Sequence, residues 1–227
     1  MPDSPRSVSA ASADAWEREE ADRERRGRLK LVETLAADLG PRYSPARASL
    51  DSFQVRDGKT QAPVVARLRQ LAGRLDKLTA DGVGLIFLGR VGTGKDHLAA
   101  ALLYIAAREF GLDSRWVNAR STFQQSRDAM AQDRTEADLI RPLVKPSILC
   151  LSDPLPIAGT LSAWNVDLLY RLVDERYRQY RPTWVTMNAE SADEADDRLS
   201  PPVWDRLRDQ AEVIECKWES WRKERRT

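Results

Sequence analysis

Between Gly89 and Asp96 the chain reads Gly-Arg-Val-Gly-Thr-Gly-Lys-Asp, a spacing of glycines and lysine suited to holding phosphate. Glycine lets successive backbone N–H groups turn toward one anion, and a helix opening there adds the partial positive charge of its N-terminus. Lys95 would then reach the β- and γ-phosphates of a nucleotide. The pattern G-x-x-x-x-G-K-[ST] is met at every position but the last, where Asp96 replaces the hydroxyl residue that normally holds Mg²⁺. Gly89, Val91, Gly92, Thr93, Gly94, Lys95, Asp96 and His97 are therefore the candidate nucleotide contacts. The alternative is an ordinary glycine-rich turn. His97 is the sole histidine of the chain, and a packed or solvated helix residue is its plainer reading.

The flanking elements decide between loop and turn. Val83–Leu88 is an apolar run that reads as a buried strand, and His97–Leu103 opens a helix running to about Phe110, with Gly111 as its cap. Further short strands are expected at Ser114–Asn118, at Ile148–Leu151 ending in Ser152-Asp153, at Thr183–Thr186 ending at Asn188, and at Val213–Glu215. Between them lie helical stretches: 121–144, 162–180 with Val166, Leu169, Val173 and Tyr177 (widened by Leu172) as its buried face, and 189–199. A short helix carrying Arg206 and Arg208 follows Pro201-Pro202. Ahead of the loop, Pro63 opens an amphipathic helix with Val64, Leu68, Leu71, Leu75 and Leu78 on one face. Strands alternating with helices imply an α/β fold with a parallel sheet flanked by helices, its ligand at the C-terminal ends of the strands.

Residues 1 to about 15 are mostly Ser, Ala, Pro and Asp and are expected to be disordered. Trp16–Lys30 is a dense run of Glu and Arg at helical spacing, read as an exposed helix laced with ion pairs or as a partner-docking arm. An apolar stripe, Leu29, Val32, Ala36 and Leu39, follows it before Gly40-Pro41. The division is thus 1–41 tail and helical N-terminal arm, 42–222 nucleotide-binding domain, and 223–227 basic tail.

Composition narrows the partners. The 227 residues carry 36 Lys and Arg against 35 Asp and Glu, so a net charge of +1 gives no global attraction to nucleic acid, and any basic surface is local. Cys150 and Cys216 lack metal-ligand spacing, and a reducing compartment suits them. No run is long and apolar enough to span a membrane, and Met1–Ala15 lacks a signal-peptide core, so a cytoplasmic location is expected.

Taken in order, the segments resemble the AAA+ ATPases of the DnaC/IstB type, the helicase loaders and transposition helpers. The resemblance rests on Gly89–Lys95 with His97-Leu98-Ala99, the strand ending at Asp153, Asp174-Glu175-Arg176-Tyr177, Arg181-Pro182-Thr183, Thr186-Met187-Asn188, Asp205-Arg206-Leu207 and Glu219-Ser220-Trp221-Arg222. It covers roughly Arg42–Arg222. It implies a P-loop NTPase fold of AAA+ type, ATP and Mg²⁺ as cofactors, and assembly with copies of itself. The partners it implies are DNA and a replicative helicase or transposase. Lys95 would bind phosphate, Asp153 and Asn188 would act on the γ-phosphate, and Arg206 would reach a neighbouring subunit's nucleotide. Arg222 would make a further nucleotide or subunit contact. The plainer readings are a strand-end cap for Asn188 and solvated arginines for Arg206 and Arg222.

Two departures bear on hydrolysis. Asp96 stands at the metal-binding hydroxyl, and the usual acid pair at the third strand's end is reduced to one. If Ser152-Asp153 aligns with that pair, Ser152 takes the metal-shell position and Asp153 orients water. If Asp153-Pro154 aligns, Asp153 keeps the metal and the catalytic acid is lost. The first register allows hydroxyl and carboxylate to have exchanged places, so that Asp96, Ser152 and Asp153 are the candidate metal ligands. Two functions stay open: an ATPase acting on DNA as helicase loader or transposase helper, and a nucleotide-binding adaptor without hydrolysis. Arg115, Arg120, Arg127, Arg134 and Arg141 would supply the positive charge for DNA, with acids interleaved among them.

Overall fold

The computed structural model describes residues 10–130 and 135–221. Three helices, α1 (Ala10–Leu39), α2 (Gln61–Ala72) and α3 (Leu75–Ala80), lead into five strands: β1 (Leu85–Leu88), β2 (Ser114–Asn118), β3 (Ile148–Ser152), β4 (Thr183–Met187) and β5 (Glu212–Glu215). The strands pair in the order β2-β3-β4-β1-β5, and every pairing is parallel. Parallel neighbours need crossovers, and helices supply them. α4 (Lys95–Phe110) joins β1 to β2. α5 (Ala119–Met130) and α6 (Glu136–Val144) join β2 to β3. α7 (Ala163–Arg178) joins β3 to β4, while α8 (Ala192–Leu199) and α9 (Pro201–Arg208) join β4 to β5.

Strand side chains alternate between faces, and here each face has its own set of helices. Leu85, Phe87, Ile148, Cys150 and Trp184 enter one apolar layer with α1 to α4. Ile86, Leu88, Leu149, Leu151, Val185 and Met187 enter the other with α5 to α9. Covering both faces explains why the central strands β1, β3 and β4 are buried along their whole length and carry no charged residue, unlike the edge strands β2 and β5. Because β4 lies between β1 and β3, the residues just past these three strands share one edge of the sheet: Gly89, Asp153 and Asn188.

The helices depart from expectation in four places. Residues 10–15, expected to be disordered, are helical, in keeping with Ala10, Ala11, Ala13 and Ala15; residues 1–9 lie outside the described residues. In the second half of α1, Val32, Leu35 and Leu39 are buried, whereas Leu29 is 53% exposed and Ala36 half-buried. The covered stripe thus keeps Val32 and Leu39, loses Leu29 and gains Leu35, where α1 packs on α4 and β2. Asp38 fixes that contact by accepting from Arg115 Nε at 2.5 Å and Nη2 at 2.9 Å. The long helix expected after Pro63 is two, broken at Gly73-Arg74, with Val65 rather than Val64 inside. On α7 the inward residues are Leu168, Leu169, Leu172, Val173 and Arg176, and Tyr177 is 44% exposed.

Arg176 accounts for that shift. It is fully buried at the end of α7, where Nη1 donates to the carbonyls of Leu143, Val144 and Pro146 at 3.0 Å each. Nη2 donates to Pro182 O at 2.7 Å. One guanidinium thereby satisfies carbonyls at the end of α6 and in the turns that lead into β3 and β4.

Candidate nucleotide site

The loop after β1 takes its shape from glycine at three points. Gly92 and Gly94 have φ of +87° and +94°, in the left-handed region that side chains disfavour. At Gly89 a Cβ would lie 2.6 Å from Cys216 O, so only glycine allows the tail to pass. Thr93 is buried, and its hydroxyl donates to Arg90 O at 3.0 Å, closing the loop on itself. The first bond within α4 runs from Leu98 N–H to Gly94 O, so the N–H groups of residues 95–97 precede it and face an incoming anion.

Lys95 is 5% exposed and has its Nζ bonded to Arg90 O at 2.9 Å and to Asn188 Oδ1 at 3.0 Å. The other end of the same amide, Asn188 Nδ2, donates to Asp153 Oδ1 at 2.6 Å. Lysine, amide and carboxylate, from the ends of β1, β4 and β3, form one chain of hydrogen bonds. Asp153 holds a left-handed backbone (φ +50°), and its N–H donates to Thr186 O at 2.9 Å. Ser152, the last residue of β3, is buried between Asn118 and Thr186 in the strand register.

Asp96 faces elsewhere within the site. Its Oδ2 accepts from Tyr43 OH at 3.4 Å, and its charge reaches two buried thiols. Burial, then Asp96, pushes the Cys150 thiol well up. Burial raises Cys216 to about 12, with Lys95 opposing and Asp96 adding. Burial and then Asp96 also raise the Tyr43 phenol. Burial thus favours the neutral form of all three groups.

His97 is turned away from Lys95. Its Nε2 lies 2.9 Å from Ser49 O and 3.2 Å from Ser52 Oγ, and its ring packs on Phe53. It is the packed helix residue of the plainer reading. Val91 is 54% exposed at the loop tip. Arg206 lies on α9 and not with the others: Nε donates to Asp174 Oδ1 at 2.6 Å, and the guanidinium sits 4.6 Å above the Tyr170 ring. Arg222 and the basic tail lie outside the described residues, as does Arg134. Of the arginines suggested for DNA, Arg115 is held by Asp38, Arg120 donates to Leu155 O, and Arg127 bonds Asn165 and Gln124.

Three aromatic neighbours of the loop went unassigned in the sequence: Phe53, Trp218 and Trp221. Trp221 enters the sequence reading only within Glu219-Ser220-Trp221-Arg222, and nothing local to Phe53 or Trp218 points to the loop. Beside Gly89 and Arg90 opens a cleft of about 610 Å³, bordered by Arg56, Gln61, Trp218 and Trp221. That is within the size range of small-molecule sites.

Comparison with known proteins bears on the family. Residues 14–227 match the family described as IstB-like ATP binding protein. Over 123 residues the chain is 36% identical to a Mycobacterium tuberculosis protein named as ATP-binding in an insertion sequence. That match takes in 54% of this chain and 47% of the relative, so the chain spans about half the length of the curated relative it matches. The structure is similar to that of the DnaC helicase loader, with a TM-score of 0.67, 22% identity, and coverage of 78% of this chain and 99% of that one. For DnaI the TM-score is 0.62 at 21% identity, covering 80% and 93% of the two chains. For AMPPCP-bound DnaA from Aquifex aeolicus it is 0.60 at 17% identity, covering 78% and 51%. These structural likenesses are of fold, that of an AAA+ P-loop domain. With a phosphate loop on such a fold and a family match over nearly its whole length, the chain belongs to the IstB-like ATP-binding protein family.

Proposed function

We propose that this protein binds ATP between copies of itself, cleaves the γ-phosphate, and acts on DNA as a helicase loader or transposase helper. The observation that supports this best is the hydrogen-bonded chain from Lys95 through Asn188 to Asp153. A γ-phosphate beside Lys95 would take that lysine from Asn188 and leave the amide to report its presence to Asp153. Asp153 then orients the attacking water, which places Ser152 at the metal shell. Phosphoryl transfer is mostly positioning and charge stabilisation, and these groups supply both. The base and ribose lie in the cleft beside Gly89, on the side of Arg56 and Gln61. Arg206 completes a neighbouring copy's site once it leaves Asp174. The exposed first half of α1, around Trp16 (70% exposed), meets the helicase or transposase.

Mg²⁺ fits the residues present. Among the described residues no three His, Cys, Asp or Glu gather as a cage. A nucleotide-bound Mg²⁺ needs only one or two carboxylates, the rest of its shell being phosphate oxygen and water. Asp96, Ser152 and Asp153 offer hard oxygens of that kind. When bound, the ion would neutralise charge between the β- and γ-phosphates.

A second reading, an adaptor that binds ATP without hydrolysing it, is favoured by two observations. Asp96 stands where a hydroxyl is usual and bonds Tyr43, and Arg206 is engaged by Asp174 within its own chain. Anisotropy of labelled single-stranded DNA with ATP and Mg²⁺, across a salt titration, tests the DNA-directed reading. Binding that needs ATP and falls steeply with salt supports it. Binding indifferent to both contradicts it.

A further inference from the structure

The segment from Cys216 to Trp221 lies along the outer side of the phosphate loop. Cys216 N–H donates to Leu88 O at 2.7 Å, and Trp221 N–H donates to Gly92 O at 3.0 Å. Between them the indole Nε1–H of Trp218 donates to Thr93 O at 2.8 Å. Phe53 closes on the same loop from the segment before α2, where a Cβ on Gly94 would lie 2.8 Å from its Cε2. The Phe53 ring meets Trp218 and Trp221 edge to face, at 6.2 and 5.5 Å between centroids. Arg56 stacks over Trp221 at 4.0 Å.

The two tryptophans thus hold carbonyls, and carbonyls decide where N–H groups point. In a planar trans peptide the C=O and the following N–H project in opposite directions. Holding Thr93 O outward turns the Gly94 N–H inward, to the side where the helix N-terminus and Lys95 await phosphate. Holding Gly92 O fixes the preceding peptide in the same way. Glycines at 92 and 94 leave this stretch few torsional restraints of its own, so its shape has to come from contacts.

We infer that the strap Cys216–Trp221, with Trp218 as its main contact and Phe53 as its backing, positions the phosphate loop from behind and so sets its affinity for phosphate. Trp218 is a positioning residue that acts through the Gly94 N–H. The inference rests on the reading of Gly89–Lys95 as a nucleotide loop and adds the element that keeps it in binding form.

The test is calorimetric titration of the full chain with Mg-ATP and, separately, with inorganic tripolyphosphate, for wild type, Trp218→Phe and Lys95→Ala. Trp218→Phe keeps a ring in place and removes one donor. One neutral hydrogen bond corresponds to about a fivefold change in affinity, and that loss is expected for both ligands alike. In the ligand-free protein, amide exchange at Thr93 and Trp221, whose N–H groups are bonded to Arg90 O and Gly92 O, should quicken while β3 and β4 stay protected. Phe53→Leu leaves both indoles and should give a smaller loss of the same kind; it carries the test if Trp218→Phe does not fold.

Unchanged affinity in both variants overturns the inference. So does a loss for ATP without one for tripolyphosphate, which would make Trp218 a base contact. Faster exchange across the whole sheet also overturns it, because the change would then be general loosening. Failure of the underlying reading looks different: wild type and Lys95→Ala would then bind both ligands equally poorly.

Discussion

Lys95 and Asn188 stand 93 residues apart in the chain and 3.0 Å apart in space, Nζ to Oδ1. The contact turns the lysine's charge toward the amide oxygen of Asn188. The same amide is bonded at its other end to Asp153, so Asn188 joins the lysine to the carboxylate.

Asn188→Ala should therefore separate binding from turnover. Lys95 loses a competitor of phosphate, so ATP affinity is unchanged or higher. Turnover falls by about 100-fold, the size of effect seen when one preorganised polar group is removed from a reacting centre. Affinity by calorimetry and phosphate release on the same preparation check both halves. An affinity loss as large as the turnover loss would make Asn188 a simple binding residue.

Asp96 and Ser152 form the second pair to test. If carboxylate and hydroxyl have exchanged places around the metal, Asp96→Thr alone lowers Mg²⁺-dependent turnover by about tenfold or more. The double variant with Ser152→Asp then recovers most of it. A single variant as active as wild type, or more so, would end the exchange idea and leave Asp96 as the partner of Tyr43 only.

Arg206 is held by Asp174 across α7 and α9, yet a role in a neighbour's site can be read from mixtures. Arg206→Ala keeps its nucleotide site and lacks the arginine; Lys95→Ala keeps the arginine and lacks the site. Each alone should be inactive. Mixed, they should regain a fraction of wild-type turnover, because some interfaces join an intact site to an intact Arg206. A mixture as inactive as its components would confine Arg206 to its ion pair.

The two buried thiols predict a pH effect on stability. Cys216 has its pKa raised from 9.0 to about 12 in the fold, and that of Cys150 is raised as well, chiefly by burial in both cases. Above pH 9 the unfolded chain releases these protons and the folded chain keeps them. The stability they contribute is therefore complete below pH 9 and is lost as pH rises toward 12. Urea midpoints at pH 8 and pH 10 should differ less in the Cys150→Ala/Cys216→Ala variant than in wild type. An equal drop in both would show that other groups carry the alkaline loss.

Much of the fold is legible because the central strands β1, β3 and β4 are short, mostly apolar and buried on both faces, so composition marks them. The loop Gly89–Lys95 was legible because its chemistry fixes residue types at fixed spacing. Asp153 and Asn188 followed as the polar residues ending two such strands. Side-chain contacts between distant segments were another matter. Nothing near Trp218 in the sequence points to Thr93, 125 positions away. On α7 the sequence marks Leu169, Leu172 and Val173 as inward but puts Tyr177 in the place of Arg176, which reads as a surface residue until the carbonyls of Leu143, Val144, Pro146 and Pro182 are brought around it. The stripe on α1 shifted for a similar reason, since α4 and β2 rather than local periodicity choose which residues are covered.

Phosphate release from ATP with Mg²⁺, with and without single-stranded DNA, by wild type and Lys95→Ala, tests the central claim most directly. The account predicts turnover in wild type that vanishes in the variant. No release from wild type under either condition would contradict it and leave the protein a nucleotide-binding adaptor.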